Sequence, residues 1–206
     1  MWELFTKAGI LAWPIVACSF VGVLIFFERL RTYRKAVRPS AAEAALFKMF
    51  QKGRMDELRE TAARHLQKDS RKITSPERIM AEIFTANITD RETLELVTTH
   101  ALETEMKYLS RHLGILATMG NIAPLLGLLG TVVGMIKAFI AVEQLGGRVN
   151  ATVLAGGIWE AMLTTALGLM VAIPLIVLHS YLEGRLRSVQ AELEEVAVNI
   201  VKNWRW

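Results

Sequence analysis

The sequence predicts an all-α, polytopic membrane protein with three transmembrane helices, the second and third extended into the cytoplasm by long helices. Three observations predict it. The 206-residue chain is 52% hydrophobic, with a positive mean hydropathy, more apolar than an ordinary soluble domain. Three runs carry no Asp, Glu, Lys or Arg: twenty residues between Lys7 and Glu28, twenty-five between Arg111 and Lys137, and twenty-two between Glu160 and Glu183. At about 1.5 Å per residue each run can cross roughly 30 Å of hydrocarbon. Between and after these runs, apolar residues recur at helical spacings.

Span one is read as retained rather than as a cleavable signal peptide. Lys7 is its only early basic residue, no small-x-small site follows, and Glu28-Arg29 comes straight after the apolar run. Cys18 is the single cysteine and lies within that span, so neither a disulfide framework nor a Cys/His metal box is available.

Basic residues set the expected orientation. Arg29, Arg31, Arg34, Lys35 and Arg38 follow span one, and Lys107 and Arg111 precede span two, whereas the loop from Glu143 to Asn150 offers only Arg148. The region between spans one and two and the tail after Glu183 are therefore expected in the cytoplasm. The N-terminus is expected outside, where Trp2 and Phe5 suit an aromatic belt. The expected divisions are 1–28 (outer N-terminus and span one), 29–112 (cytoplasmic helices), 113–182 (spans two and three with a short outer loop) and 183–206 (cytoplasmic C-terminal helix). Topology and anionic lipid headgroups explain the basic residues after span one. Nothing glycine-rich or interleaved with aromatics points to nucleic acid.

Between the first two spans, Ser40 to Lys52 has helical spacing at Leu46, Met49 and Phe50 and stops at Gly53. A second short helix is expected from Met55 to about Gln67. Ser75-Pro76-Glu77 then reads as an N-cap, a proline at the first helical position and an acid at the positive helix end, opening a helix over about Pro76 to Ala86. From an N-cap at Asp90, the seam Leu102, Met106, Leu109, Leu113 and Leu116 predicts one helix to about Val142. In the tail, Leu186, Val189, Leu193, Val196 and Ile200 form a stripe. It can pack on the cytoplasmic half of the long helix or lie on the membrane, although its polar face is acidic.

Span two is unusually small along one face. Gly120, Ala123, Gly127, Gly130, Thr131, Gly134, Ala138 and Ala141 fall within an arc of roughly 100°. In span three Gly157, Ala161, Thr165, Gly168 and Ala172 do the same, with Thr164 at the edge. Lipid gives helices little hydrophobic reason to associate, so small residues that permit close approach become the main source of contact. The two faces can pack on each other or serve a further helix. Pro124 and Pro174 each remove a backbone hydrogen bond and should bend their spans.

Thr131, Thr164 and Thr165 place hydroxyls in apolar spans, where each can bond a carbonyl one turn back. Glu160 is more costly: an ionisable group at mid-span costs about 2.5–3.5 kcal/mol on insertion scales, so it faces a partner or a wet cavity unless it sits at the interface. Lys137 raises the same question on span two and has a stem long enough to snorkel.

The segments "APLLGLLGTVVGMIKAF" (Ala123 to Phe139) and "GGIWEAMLTTALGLMVAIP" (Gly156 to Pro174) resemble the paired signature of the MotA/TolQ/ExbB proton-channel family. Three spans rather than four favour its ExbB/TolQ branch. The resemblance implies a channel subunit of the bacterial inner membrane, N-terminus periplasmic and C-terminus cytoplasmic, in a homopentamer around single-span ExbD/TolR-like partners. It further implies that proton inflow drives work passed on by a TonB- or TolA-like transducer. On the matching positions, Thr131 and Thr165 correspond to pore-lining threonines and Glu160 to the glutamate of span three. Thr164 stands where alanine is common and adds a hydroxyl to the pathway. Gly127, Gly130, Gly134, Ala161 and Gly168 would pack helices or form a smooth wall for the partner helix.

A different class of function is a membrane scaffold or assembly subunit that conducts nothing. Enzyme motifs are lacking: there is no His-Glu-x-x-His, Gly-x-Ser-x-Gly or phosphate loop, and His65, His100, His112 and His179 show no metal spacing. No cofactor or metal is expected.

Overall fold

The computed structural model describes residues 10–38, 40–66, 73–144 and 151–204. Trp2, Phe5, Lys7 and Arg148 lie outside the described residues, as does most of the connection after the second short helix. Seven helices, and no strand, occur among the described residues: α1 (Ala12–Ala36), α2 (Ala41–Gln51), α3 (Met55–Leu66), α4 (Ser75–Thr85), α5 (Arg91–Ser110), α6 (Leu113–Gln144) and α7 (Ala151–Asn203). They divide into a span unit, Met1–Phe27 with His112–Leu182, and a bundle unit, Glu28–Arg111 with Glu183–Trp206.

Three helical stretches are long and apolar enough to cross a membrane, and only 22–28% of their most apolar windows is buried inside the protein. The chain cannot cover the rest of that surface, which suits lipid. In the span unit α1 buries Ala12, Ile15, Cys18 and Ile25 and turns Trp13, Phe20, Leu24 and Phe27 outward. Its Gly22 lies against Leu175 of α7 and Leu116 of α6, and Phe26 meets Tyr181 with ring centroids 6.3 Å apart. Helix α6 continues through Pro124 and α7 through Pro174.

The bundle unit has the core of a soluble domain. Leu46 and Phe50 of α2 are buried as their spacing predicts, as are Leu58, Ile79, Ile83, Phe84 and Leu94. Of the tail stripe, Val189, Leu193 and Ile200 are buried, and Trp204 stacks on Phe84 and lies 5.9 Å from Phe50 between ring centroids. Ser40 caps α2 by accepting from the Ala42 amide at 3.1 Å. After α2 the chain turns at Gly53, whose φ of 71° suits a residue without Cβ.

Two local readings change. The N-cap of α4 is Thr74 rather than Ser75, and Glu77 accepts from the Thr74 amide at 3.4 Å. The Ser75 hydroxyl is free for another partner because it is one residue inside the helix. It donates to the buried Glu105 carboxylate at 2.6 Å, which Arg78 also approaches at 2.6 Å. The Arg78 guanidinium lies 5.3 Å from the Tyr108 ring centre.

The single helix expected from Asp90 to Val142 is interrupted at Arg111-His112, where His112 takes φ 68°. The groups that meet this helix end lie far away in sequence. A helix end leaves its last carbonyls without partners, and here Arg29 donates to the Tyr108 and Leu109 carbonyls at 3.2 and 3.5 Å. Tyr33 donates to Leu109 at 3.1 Å, and Ser110 to Lys107 at 3.3 Å. Arg29 is thus buried inside the bundle unit, which leaves Arg31, Arg34, Lys35 and Arg38 as the exposed cations after span one.

Candidate functional site: the α6–α7 hairpin

The small-residue faces of α6 and α7 meet each other within the chain. A Cβ on Gly127 would lie 3.0 Å from Thr165 Cα, one on Gly134 3.0 Å from Ala161 Cβ, and one on Gly168 2.7 Å from the Ala123 carbonyl oxygen. Gly130 faces the Thr164 side chain, and a Cβ on Gly157 would lie 2.5 Å from that of Ala138. As the α6 partner advances from Ala123 to Ala138, the α7 partner recedes from Gly168 to Gly157, so the helices run antiparallel with backbones nearly touching. Gly120, Ala123, Gly127, Gly130, Gly134 and Ala138 are all buried here. A separate central helix would have to run along another face.

The hydroxyls of Thr131, Thr164 and Thr165 each have a main-chain partner. Thr165 donates across the hairpin to the Gly127 carbonyl at 3.0 Å, tying the helices where they come closest. Thr131 donates to Leu128 at 2.7 Å and Thr164 to Glu160 at 2.8 Å, each within its own helix. Thr131 and Thr165 are half-buried, with one side of the residue accessible. Thr164 is buried to 2% exposure in the notch left by Gly130, so a place on an accessible wall does not fit it. Its methyl group fills the gap between the helices, and its hydroxyl turns back to its own helix.

Glu160 and Lys137 form an ion pair, Nζ to Oε1 3.1 Å, with side chains 31% and 54% exposed. Each is the first charge bounding an uncharged run on the side of the α6–α7 connection, and the antiparallel register brings them level. Sequence reasoning treated them separately. The usable signal was that both close their runs at the same end of the hairpin. Among the described residues no group of three or more His, Cys, Asp or Glu is placed to hold a metal ion.

The arrangement is therefore a tightly closed two-helix wall with two partly accessible hydroxyls and a charge pair along it. The model of the MotA/TolQ/ExbB proton channel family matches residues 42–195, which include all of α6 and α7 as far as residue 195. The chain belongs to this family.

Its relatives place it in the ExbB/TolQ branch. An ExbB homolog of Methanothermobacter thermautotrophicus is 30% identical over 98% of this chain and 69% of its own length. The biopolymer transport protein ExbB of Salmonella typhimurium is 41% identical over 95 residues, 46% of this chain and 38% of that protein. The Tol-Pal system protein TolQ of Haemophilus influenzae is 36% identical over 94 residues, 45% of this chain and 40% of that protein. Family and apolar helices together make this a multi-pass inner-membrane protein with a role in an ExbB/TolQ system. The family is one of transport proteins rather than enzymes.

Proposed function

We propose that this chain is the proton-channel subunit of an inner-membrane motor, coupling the proton motive force to TonB-dependent import or Tol-type envelope work. The observation that carries the reading is the hairpin itself. Thr131, Thr165 and Glu160, the positions that match the family's pathway residues, lie on one close-packed two-helix wall with side chains partly accessible. Hydroxyls and a carboxylate beside a partner's acid can relay protons within an apolar span. Five copies would surround the single spans of ExbD/TolR-like partners, and a TonB- or TolA-like protein would carry the work outward. In the orientation that the basic residues favour, the N-terminus is periplasmic, and the bundle unit and C-terminus are cytoplasmic. Exposed Arg31, Arg34, Lys35 and Arg38 support this, since anionic headgroups attract them.

Native mass spectrometry of the chain purified from its own membranes in mild detergent tests the assembly. A ring of five carrying copies of a small single-span protein is expected, and that protein's identity would separate Ton from Tol work. A monomer or dimer without such a protein, in several detergents, contradicts the reading.

One observation favours a second reading, a non-conducting scaffold. The hydroxyls of Thr131, Thr164 and Thr165 are each already bonded to a backbone carbonyl, as pure packing would require. Thr165→Val combined with Glu160→Gln separates the two. A scaffold tolerates both changes, whereas a proton motor assembles and stalls.

A further inference from the structure

We propose that Lys137 is a selectivity-determining residue of the pathway: its ammonium occupies the Glu160 carboxylate and so denies that carboxylate to sodium ions. The inference rests on the channel reading above and names the ion that the channel admits. Glu160 matches a position that the family resemblance assigns, but nothing in that resemblance assigns Lys137.

The geometry points to this role. Lys137 Nζ stands 3.1 Å from Glu160 Oε1, and both side chains remain partly exposed, so the pair is presented at the hairpin surface. It is level with the loop-side ends of the uncharged runs. On the channel reading, an ion that enters from the connection side of the hairpin meets this end before Thr131 or Thr165. One turn further along α7, Thr164 donates to the Glu160 carbonyl at 2.8 Å, so the carboxylate springs from a packed helix rather than from a loop.

A carboxylate oxygen is the ligand that a hard cation such as sodium uses. An ammonium in contact with the carboxylate cancels its charge and repels a second cation at the same place. Protons escape this restriction, because they move by exchange along hydroxyls and water and need no coordination sphere. A staple that merely held α6 to α7 would predict a change in stability alone. A selectivity residue predicts a change in the ratio of ions passed.

The test uses the whole complex with its single-span partner in lipid vesicles. Proton entry is read by an internal pH dye and sodium entry by a radioactive tracer on the same vesicles. Wild type should admit protons and no more sodium than empty vesicles. Lys137→Gln should raise sodium entry about tenfold, the order expected when a fixed charge in contact is removed, and adding Glu160→Gln should abolish that gain. Lys137→Met, which keeps the length and the apolar stem, should behave like Lys137→Gln. Sodium entry in wild type, or no gain in either assembled variant, overturns the proposal. Failure of both variants to assemble also overturns it, leaving the pair as a structural staple. If wild type passes neither ion, the channel reading itself falls, a result distinct from proton entry with unchanged sodium exclusion.

Discussion

The Tyr33 hydroxyl donates to the Leu109 main-chain carbonyl at 3.1 Å, joining residues 76 positions apart. Both are fully buried, and the bond lies two residues before the backbone departs from the helix at Arg111. Tyr33→Phe keeps the packing and removes one hydrogen bond from a buried carbonyl, which should destabilise the protein by about 1 kcal/mol. Arg29→Met removes the charge-assisted bonds to Tyr108 and Leu109 and should cost more, about 1.5–3 kcal/mol. Denaturant titration of the purified protein in one detergent gives both values. Equal effects from the two variants would mean that Arg29 does not supply the end of α5.

Glu105 is a carboxylate buried between Ser75 and Arg78, and its side chain is 3% exposed against 21% for Arg78. Glu105→Ala should destabilise by about 3 kcal/mol, at the lower end for a broken buried pair because Arg78 still reaches water. The same denaturant titration reads it. Glu95→Ala serves as the comparison. Its pair with Arg91 is exposed on both sides, and its loss should shift the midpoint little.

Close approach of α6 and α7 makes a sharp distinction among glycines. Gly168→Ala would set a methyl 2.7 Å from a backbone oxygen that cannot move without moving α6, and should cost about 1–3 kcal/mol. Nothing lies within 4 Å of a Cβ at Gly184, so Gly184→Ala should be neutral or stabilising by up to about 1 kcal/mol. Thermal melts compare the two. A tolerated alanine at Gly168 would show that the helices are not in backbone contact.

Asp90 caps α5, and its carboxyl is held below the ordinary aspartate value, first by the Thr93 amide and then by the Thr93 and Thr89 hydroxyls. A depressed value in the folded state means that the cap stabilises α5 above the unfolded aspartate pKa, about 3.9, and that this is lost as pH falls through the folded value. Amide hydrogen exchange at Thr93, corrected for the intrinsic pH dependence, should therefore lose protection on acidification below about pH 4. In Asp90→Asn, which has no charge to lose, protection should not change with pH in that window.

Much of the architecture is legible because its causes are local. The spacing of Leu46 and Phe50, the cap at Asp90, and the glycine and alanine arc from Gly120 to Ala138 each act within a few turns, and the structure shows them as read. The interruption at Arg111-His112 has no local signal. The sequence "YLSRHLGIL" continues a helical seam without proline, and the groups that take up the last carbonyls, Arg29 and Tyr33, lie far upstream. Burial of Glu105 is equally hidden, because a glutamate on a seam reads as solvated until Ser75 and Arg78 are known to face it. In the hairpin, the small faces were readable. That they face one another, with Thr164 enclosed between them, required the antiparallel register.

Proton entry into vesicles holding the purified complex, driven by an imposed membrane potential, tests the central claim most directly. The account predicts entry that requires the single-span partner and falls to the level of empty vesicles in Thr165→Val without loss of assembly. An intact, partner-bound complex that admits no protons, or a Thr165→Val complex that admits them at the wild-type rate, would contradict it.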